Sequence, residues 1–197
     1  MIYLYNKRKT KKPFFSIITV VKDDEKNILK TLNSIKNQAF KNFEYIIVDG
    51  NSRDKTLKIL KKNKVFDILI SEKDYGIYDA MNKGLKISKG QVIVFVNSGD
   101  IITKNALKIV YKIFLNNKGI SFLFGTVLRH YKTGSILKYG FSFNRMIYNF
   151  DFATSHSTGF FLKKKIYKQI GYYNTKFKCS ADYDIYFRLF KMKLKGR

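Results

Sequence analysis

The order of hydrophobic and polar positions predicts strands that alternate with helices. Apolar, β-branched runs without polar alternation are typical of strands buried on both faces, as in a parallel sheet covered by helices. Such runs fall at residues 14–21, 43–49, 66–71, 91–96 and 121–129. Apolar residues at helical spacing predict helices between them, at 25–38, from a candidate cap at Ser52 to Leu60, and at 103–115. This alternation favours an α/β domain built from βαβ units.

The pattern becomes less regular after residue 121. Residues 122–130 and 135–141 are predicted to form a hairpin through Lys132-Thr133-Gly134. A further strand is expected at 156–162, a helix at 163–170 closed by Gly171, and a last helix at 182–191. This second half is expected to form the wall of a second pocket.

Two acidic residues follow predicted strands directly. Asp49 ends the run Phe43–Asp49, and Asp100 closes the polar turn after the run that ends at Val96. Right-handed crossovers bring the carboxyl ends of parallel strands to one edge, and ligands of such sheets bind beyond those ends. We therefore expect the two carboxylates to share one crevice.

The composition adds a strong positive charge. The 197 residues include 39 Lys and Arg but only 14 Asp and Glu, a net charge of +25. Because only six of the basic residues are Arg, the charge suits a diphosphate substrate or an anionic membrane surface better than base readout in nucleic acid.

The remaining composition bears on location. Cys179 is the single cysteine, which excludes a disulfide framework and fits a reducing compartment. The apolar residues of the N-terminus precede the basic ones, the reverse of a secretory signal. No apolar run approaches the ~20 residues of a membrane span. We expect a cytoplasmic protein, peripheral at most at the inner face of the membrane.

Five segments carry a family resemblance. They are Phe15–Val20 with Leu32–Gln38, Glu44–Thr56, Asp74–Gly84 (Asp-Tyr-Gly-Ile-Tyr-Asp-Ala-Met-Asn-Lys-Gly), Val96–Asp100 (Val-Asn-Ser-Gly-Asp) and Ala181–Ile185 (Ala-Asp-Tyr-Asp-Ile). In this order and spacing, they resemble family 2 of the inverting glycosyltransferases with the GT-A fold, and in particular bacterial members that build capsule, exopolysaccharide or lipopolysaccharide.

The resemblance implies one GT-A domain over residues 1–197. Its expected fold is a Rossmann-like, mostly parallel sheet flanked by helices, with a smaller antiparallel portion on the acceptor side. Residues 1–120 would bind the nucleotide-sugar and residues 121–197 the acceptor. The implied reaction moves a sugar from a nucleotide-diphosphate donor, with a UDP-sugar as first expectation, to a lipid-linked or polysaccharide acceptor, with inversion. It would serve cell-surface polysaccharide synthesis.

The resemblance also implies a divalent metal, Mg²⁺ or Mn²⁺, held by Asp100. A carboxylate that faces a diphosphate would repel it by about 4 kcal/mol at ~4 Å unless a cation lay between them. The family often has another acid where this chain has Asn97 or Gly99. The alternative role of Asp100 is to end the strand or to cap the next helix.

Substrate contacts are implied for seven residues, which are Val20, Asp49, Asp74, Asp79, Asn82, Asn97 and His156. Three of them have a structural alternative. Asp49 could instead order the turn at 50–54, Asp79 lies where a carboxylate favours the start of a helix, and a lone histidine such as His156 is often a structural residue.

The catalytic base implied by the resemblance is Asp182, which would take the proton of the acceptor hydroxyl. Asp184 is the competing candidate. It lies four residues before Arg188, the spacing of a helical ion pair, and a structural role therefore suits it better.

Two other functions stay open at the level of sequence. A nucleotidyltransferase of related topology would need a Gly-rich phosphate loop near the N-terminus, which the chain lacks. A basic nucleic-acid-binding protein would be expected to carry an Arg-rich stripe or a reader motif, and neither is recognisable.

Overall fold

The structure, a computed structural model, describes residues 1–4, 12–138, 144, 148 and 157–197. Its strands are β1 (Ile2–Leu4), β2 (Phe15–Val21), β3 (Phe43–Asp49), β4 (Ile68–Ser71), β5 (Val92–Phe95), β6 (Phe122–Phe124), β7 (Val127–Tyr131), β8 (Gly134–Lys138) and β9 (Phe160–Lys163). Its helices are α1 (Ile28–Lys36), α2 (Thr56–Asn63), α3 (Ile77–Ile87), α4 (Ala106–Asn116), α5 (Lys164–Ile170) and α6 (Ala181–Lys191), with a 3-10 turn at Ser157–Gly159.

Seven strands form one sheet in the order β1-β4-β3-β2-β5-β9-β6. The four central strands, β4, β3, β2 and β5, are parallel, while β1 pairs antiparallel with β4, and β9 pairs antiparallel with β5 and β6. The α/β fold class is therefore confirmed. The carboxyl ends of the parallel strands meet at one edge, as predicted.

The sheet is covered on both faces because β2 and β3 are apolar at nearly every position. Ile18 and Ile46 pack in one core with residues of α3, α5 and α6. Ile17 and Ile47 pack in a second core with residues of α1, α2 and α4. Each fully buried Ile contributes roughly 1.5–3 kcal/mol, so the two cores hold the strands in a fixed register.

Helix α3 approaches the sheet closely at Gly84. A Cβ atom at this position would lie 2.5 Å from Cγ2 of Ile18 in β2, nearer than real Cβ contacts come. The absence of a side chain therefore lets α3 pack directly on the centre of the sheet. This close packing fixes the helix that begins beside the sheet edge.

The prediction of a single strand over residues 121–129 is wrong. Strand β6 ends at Phe124, where the Gly125 N–H donates to the Gly159 carbonyl at 2.7 Å. Strand β7 then leaves the main sheet and pairs with β8 in a separate two-stranded sheet. Gly125 and Thr126 interrupt the apolar pattern at this change of partner, and the prediction of a single strand passed over them.

Three further expectations need correction. Ser52 does not cap α2, which begins at Thr56 after Lys55, because its hydroxyl donates to Asp49 instead. The strand expected from 156 begins at Phe160, after the 3-10 turn. Strand β1 was not predicted. Two smaller expectations are confirmed. Gly171 closes α5 with a φ of 86°, and β7 and β8 form the predicted hairpin.

Within the described parts of the chain, no helix combines the length and the apolar character that a membrane crossing requires.

Candidate active site

Asp49 lies at the end of β3 and is completely buried. Its carboxylate accepts hydrogen bonds from the Ser52 hydroxyl at 2.5 Å, from the Ser52 N–H at 3.3 Å and from the Ser71 hydroxyl at 2.7 Å. Ser52 belongs to the turn after β3, and Ser71 is the last residue of β4. The carboxylate thus ties two neighbouring strand ends together, which favours its turn-ordering role.

Gly50 and Asp74 lie against each other beside this turn. A Cβ atom on Gly50 would come within 2.2 Å of Oδ2 of Asp74, so only glycine leaves room for that carboxylate. The other oxygen, Oδ1, accepts the Gly76 N–H at 3.1 Å, just before α3. The Gly50 N–H donates to the Val21 carbonyl at 2.9 Å. The segments after β2, β3 and β4 therefore adjoin at one edge.

The turn after β5 is held from two sides. The hydroxyl of Thr31 in α1 donates to the Asp100 carbonyl at 2.9 Å and accepts the Gly99 N–H at 3.0 Å. The Thr158 hydroxyl donates to the Asp100 carboxylate. The 3-10 turn that precedes β9 thus brings a hydroxyl to the predicted metal ligand.

Asn97 lies in the same turn and leaves one polar atom unused. Its Nδ2 donates to the Ser157 hydroxyl at 2.9 Å. Its Oδ1 is buried and has no hydrogen-bond partner within the described residues. A buried carbonyl oxygen without a partner costs free energy, so this position suits a ligand that supplies a donor or a cation.

The donor atoms at this turn fit a hard divalent cation. The described residues contain no group of three or more His, Cys, Asp or Glu side chains that could hold a metal by themselves. Asp100 and Asn97 nevertheless offer a carboxylate and an amide oxygen, and Mg²⁺ is commonly bound by one or two carboxylates together with substrate phosphates and water. These two residues would hold a metal that arrives with a diphosphate.

Asp182 lies in the first turn of α6, within a set of buried phenol rings that we call the tyrosine pocket. The pocket consists of Tyr78, Tyr167, Tyr173 and Tyr186. Burial raises the pKa of Asp182 to about 6, although the nearby Tyr173 hydroxyl acts in the opposite direction. Oδ1 of Asp182 is buried and has no hydrogen-bond partner within the described residues. Above pH 6, Asp182 is therefore a poorly solvated carboxylate suited to accept a proton.

The start of α6 reaches the same sheet edge as the turns after β3 and β5. The Ala181 N–H donates to the Tyr78 hydroxyl at 3.0 Å, and Tyr78 lies in the first turn of α3. Helix α3 begins just after β4, whose end carries the Ser71 bond to Asp49. Asp49, Asp100 and Asp182 are thereby brought to one edge, as the topology predicted for the first two.

Three other predicted substrate contacts have bonds within the protein. Val20 is buried in β2, and its carbonyl accepts the Ser98 N–H at 3.2 Å. Asp79 accepts the Tyr75 N–H at 3.1 Å and pairs with Lys83 at 3.4 Å, which supports its role at the start of α3. Asn82 uses both ends of its amide on the backbone of Tyr173, at 2.8 and 3.0 Å.

Substrate contact by any of these residues stays a prediction, and His156 lies outside the described residues. The predicted ion pair of Asp184 with Arg188 is present at 2.6 Å. Asp184 thereby has the structural partner that the spacing indicated.

An open cavity of about 220 Å³ lies between the start of α3 and residues 175–178. The Tyr75 side chain is 87% exposed and that of Phe177 is 46% exposed, so aromatic rings border the cavity without being packed in the core. Tyr78 joins the cavity to the tyrosine pocket. The lining residues are Tyr75, Gly76, Ile77, Tyr78, Asp79, Thr175, Phe177 and Lys178.

Sequence reasoning did not single out Tyr78, Tyr173 or Thr158. Tyr78 lies inside the segment 74–84 that carries the resemblance. Its position in this segment was the signal that could have marked it as a site residue. No local pattern marked Tyr173 or Thr158, because each acquires its role from contacts with distant segments.

Comparison with known proteins agrees with this geometry. The family model described as glycosyl transferase family 2 matches residues 16–180. An uncharacterized glycosyltransferase of Methanocaldococcus jannaschii is 30% identical over 189 residues, which cover 90% of this chain and 64% of that protein. A PGL/p-HBAD biosynthesis glycosyltransferase of Mycobacterium tuberculosis is 26% identical over 188 residues, covering 90% and 70%.

Solved structures show the same architecture. S. aureus TarS 1-349 in complex with UDP superposes with a TM-score of 0.69 at 25% identity, over 91% of this chain and 54% of that one. A mannosyltransferase from Pyrobaculum calidifontis, solved with GDP-Man and Mn²⁺, superposes with a TM-score of 0.69 at 16% identity, over 95% and 55%. The chain thus spans 64% of its archaeal relative and about half of these solved chains. The match to the family model over residues 16–180 shows that the chain belongs to glycosyl transferase family 2.

Proposed function

We propose that this protein transfers a sugar from a nucleotide-diphosphate donor to a lipid-linked or polysaccharide acceptor, with inversion and with help from a divalent metal. The observation that carries the proposal is Asp182, a half-buried residue whose Oδ1 is buried without a hydrogen-bond partner among the described residues, at the sheet edge that also bears Asp49 and Asp100. Family membership favours this reaction over the nucleotidyltransferase and nucleic-acid-binding alternatives.

The donor would bind over the ends of β3, β4 and β5. TarS has been solved with UDP-GlcNAc, and the Pyrobaculum mannosyltransferase with GDP-Man and Mn²⁺, which supports a nucleotide-sugar as the donor. Asp74 beside Gly50 is positioned to contact the nucleoside side of the donor, whereas Asp49, with its carboxylate already bonded, would shape the site indirectly. A UDP-sugar is our first expectation.

The metal would be held by Asp100 and Asn97 together with the donor phosphates. When bound, it neutralises charge on the departing diphosphate, and this lowers the barrier to cleavage of the sugar–phosphate bond. Thr158 would keep the Asp100 carboxylate oriented, and Thr31 would keep the turn in place.

The acceptor hydroxyl would lose its proton to Asp182 while its oxygen attacks the anomeric carbon. A base with a pKa of about 6 is deprotonated at neutral pH. Because this pKa lies only slightly below neutral pH, the base still accepts a proton effectively. The attack would come from the side opposite the diphosphate, which inverts the configuration. The neighbouring cavity, with Tyr75 and Phe177 at its border, offers ring faces for an acceptor sugar.

The two halves of the chain would divide these tasks. Residues 1–120 supply the turns of the donor site, and residues 121–197 supply Thr158 and Asp182. We further propose a role in cell-surface polysaccharide synthesis, with peripheral contact at the inner membrane face. The net charge of +25 supports contact with anionic lipid headgroups.

A matched pair of variants tests the proposal. UDP with Mn²⁺ should raise the melting temperature of the wild-type protein more than UDP alone. Asp100→Ala should lose the Mn²⁺-dependent part of this rise, because it removes the carboxylate ligand. Asp182→Asn should keep the whole rise but lower sugar transfer by about 10²–10⁴-fold, the usual contribution of a general base. Transfer is measured as UDP release and product formation from a panel of UDP-sugars with lipid-phosphate and oligosaccharide acceptors.

Asp184→Asn is the control for Asp182→Asn, because it makes the same change two residues later in α6. It should leave transfer unchanged. No thermal shift with any nucleoside diphosphate would contradict the donor site, and transfer retained in Asp182→Asn would place the base elsewhere.

A further inference from the structure

Two residues of α3 hold the surroundings of Asp182 in place. The Tyr78 hydroxyl accepts the Ala181 N–H at 3.0 Å, and this bond fixes the residue directly before Asp182. Asn82, one turn further along the same face of α3, bonds both the carbonyl and the N–H of Tyr173 at 2.8 and 3.0 Å. Substrate contacts are predicted for Asp74, Asp79 and Asn82 of the segment 74–84. In addition, Tyr78 bonds the residue next to the candidate base, and Asn82 bonds Tyr173.

The bonds of Asn82 and Tyr78 span great distances along the chain. Asn82 and Tyr173 are 91 residues apart, and Tyr78 and Ala181 are 103 residues apart. All four residues are buried, so these bonds are not exchanged for bonds with water. Leaving such groups unbonded would cost about 1–3 kcal/mol each. The geometry of residues 173–182 is therefore set by α3.

Ring packing fixes the Tyr173 side chain as well. Its ring stacks on that of Tyr78, with centroids 5.6 Å apart and an interplanar angle of 15°. The Phe95 ring meets it edge-on at 5.7 Å, and the Tyr167 ring lies 6.2 Å away. Phe95 is the last residue of β5, the strand that leads to the predicted metal turn. Tyr173 is thus held between α3, α5 and the central sheet.

We propose that Tyr78, Asn82 and Tyr173 are positioning residues for Asp182. Tyr78 holds the first residue of α6, Asn82 holds the backbone of Tyr173, and the Tyr173 ring stacks on the ring of Tyr78. This inference rests on the proposed function, because it assigns these residues a task in the same reaction. It predicts that their loss damages proton transfer and leaves donor binding intact.

Several other titratable or charged groups surround Asp182. Tyr167 from α5 and Tyr186 from α6 complete the tyrosine pocket. Cys179 lies near Tyr78, and Arg188 lies near Tyr167 while it pairs with Asp184. The tyrosines stay neutral near pH 7, because burial raises the pKa of Tyr78, Tyr167, Tyr173 and Tyr186 above the ordinary value of 10. The pocket therefore offers Asp182 uncharged hydrogen-bonding groups.

The test begins with Tyr173→Phe, which removes one hydroxyl and keeps the ring. We expect the pKa of Asp182 to rise above its wild-type value of about 6, because the variant loses a hydroxyl that favours the charged form of the carboxyl group. The pKa is read from the carboxyl carbon by NMR titration of protein labelled with ¹³C at aspartate, and the Asp182→Asn variant assigns the signal. The acid limb of kcat/KM should move to higher pH by the same amount.

Tyr78→Phe and Asn82→Ala test the other two positions. Each should lower kcat by about tenfold to a hundredfold, the cost of a small misplacement of a reacting group, while the Kd for UDP with Mn²⁺ stays within twofold. Tyr111→Phe is the matched control, since Tyr111 packs against Phe14 and Phe40 on the opposite face of the sheet. It should change none of these quantities.

The possible outcomes separate this inference from the proposed function. An unchanged Asp182 pKa in Tyr173→Phe would overturn the role of Tyr173, and equal losses in kcat and UDP affinity would overturn the positioning role of α3. Should Asn82→Ala fail to fold, Tyr78→Phe and Tyr173→Phe still decide the matter, because they keep the rings. If the NMR shift occurs but the wild type transfers no sugar, the pocket geometry stands and the proposed function fails.

Discussion

Asp49 and Asp182 carry carboxyl groups at one sheet edge with opposite surroundings, and Asp49 is fully buried whereas Asp182 is half-buried. Asp49 accepts hydrogen bonds from two serine hydroxyls and a backbone N–H. Asp182 lies among tyrosine rings, and its Oδ1 has no hydrogen-bond partner within the described residues. Hydrogen bonds hold the Asp49 carboxylate in position. Poor solvation disfavours the charged form of Asp182 and so raises its affinity for a proton. This comparison is the reason that we propose a structural role for Asp49 and a catalytic role for Asp182.

The largest expected effect on stability is a gain in the Asp182→Asn variant. The pKa of this group rises from 3.8 in the unfolded chain to about 6 in the folded protein, so its folded charged form is disfavoured. Below pH 3.8 Asp182 is protonated in both the folded and the unfolded chain, and its full contribution to stability is present. This contribution is lost as the pH rises through 6, where the group must ionise in the folded protein. The variant should therefore be more stable than wild type by about 2–3 kcal/mol at pH 8, and by about 1 kcal/mol at pH 4.5.

Urea unfolding of both proteins at the two pH values measures this difference. Asp184→Asn provides the reference for a change of charge in the same helix. A stability difference that does not grow between pH 4.5 and pH 8 would mean that Asp182 is not poorly solvated.

The Asp49→Ala variant should shift stability in the opposite direction. The change leaves the hydroxyls of Ser52 and Ser71 without their acceptor at two strand ends, and an unsatisfied buried group costs about 1–3 kcal/mol. We expect a loss of about 2 kcal/mol in urea unfolding at pH 7. A stability equal to that of wild type would show that Ser52 and Ser71 find other hydrogen-bond partners. The contrast between Asp49 and Asp182 would then be smaller than their surroundings suggest.

The smallest expected effect belongs to the ion pair of Asp184 with Arg188. Both side chains are partly exposed, and a helical pair at this spacing contributes about 0.3–0.5 kcal/mol. Asp184→Asn should therefore lower the free energy of unfolding by less than 1 kcal/mol in low salt, and by less still in 1 M NaCl. A loss that salt leaves unchanged would point to a role of Asp184 beyond this pair.

The strands and helices of residues 1–120 were readable from sequence for a physical reason. Parallel strands buried on both faces need largely apolar runs, and β3 was predicted to the residue. Residues 121–197 resisted prediction where elements change partners. Within 121–129, only Gly125 and Thr126 separate Phe124, which ends one sheet, from Val127, which begins another, and a glycine in a strand pattern fits a bulge equally well.

The candidate site divides in the same way. Asp49 and Asp100 were predicted to converge because the position of a residue after a parallel strand fixes its edge of the sheet. The tyrosine pocket could not be predicted, because Tyr78, Tyr167 and Tyr173 come from separate segments and meet only through tertiary packing. Likewise, Ser157 and Thr158 read as strand residues, yet their hydroxyls bond Asn97 and Asp100.

The pH dependence of kcat/KM tests the central claim most directly, namely that Asp182 is the base and that its surroundings tune it. With the UDP-sugar that gives the highest turnover, wild-type kcat/KM should be level above pH 7 and fall about tenfold per pH unit below about pH 6, as Asp182 becomes protonated. A profile that stays level from pH 8 down to pH 5, with full activity, would contradict the assignment of Asp182.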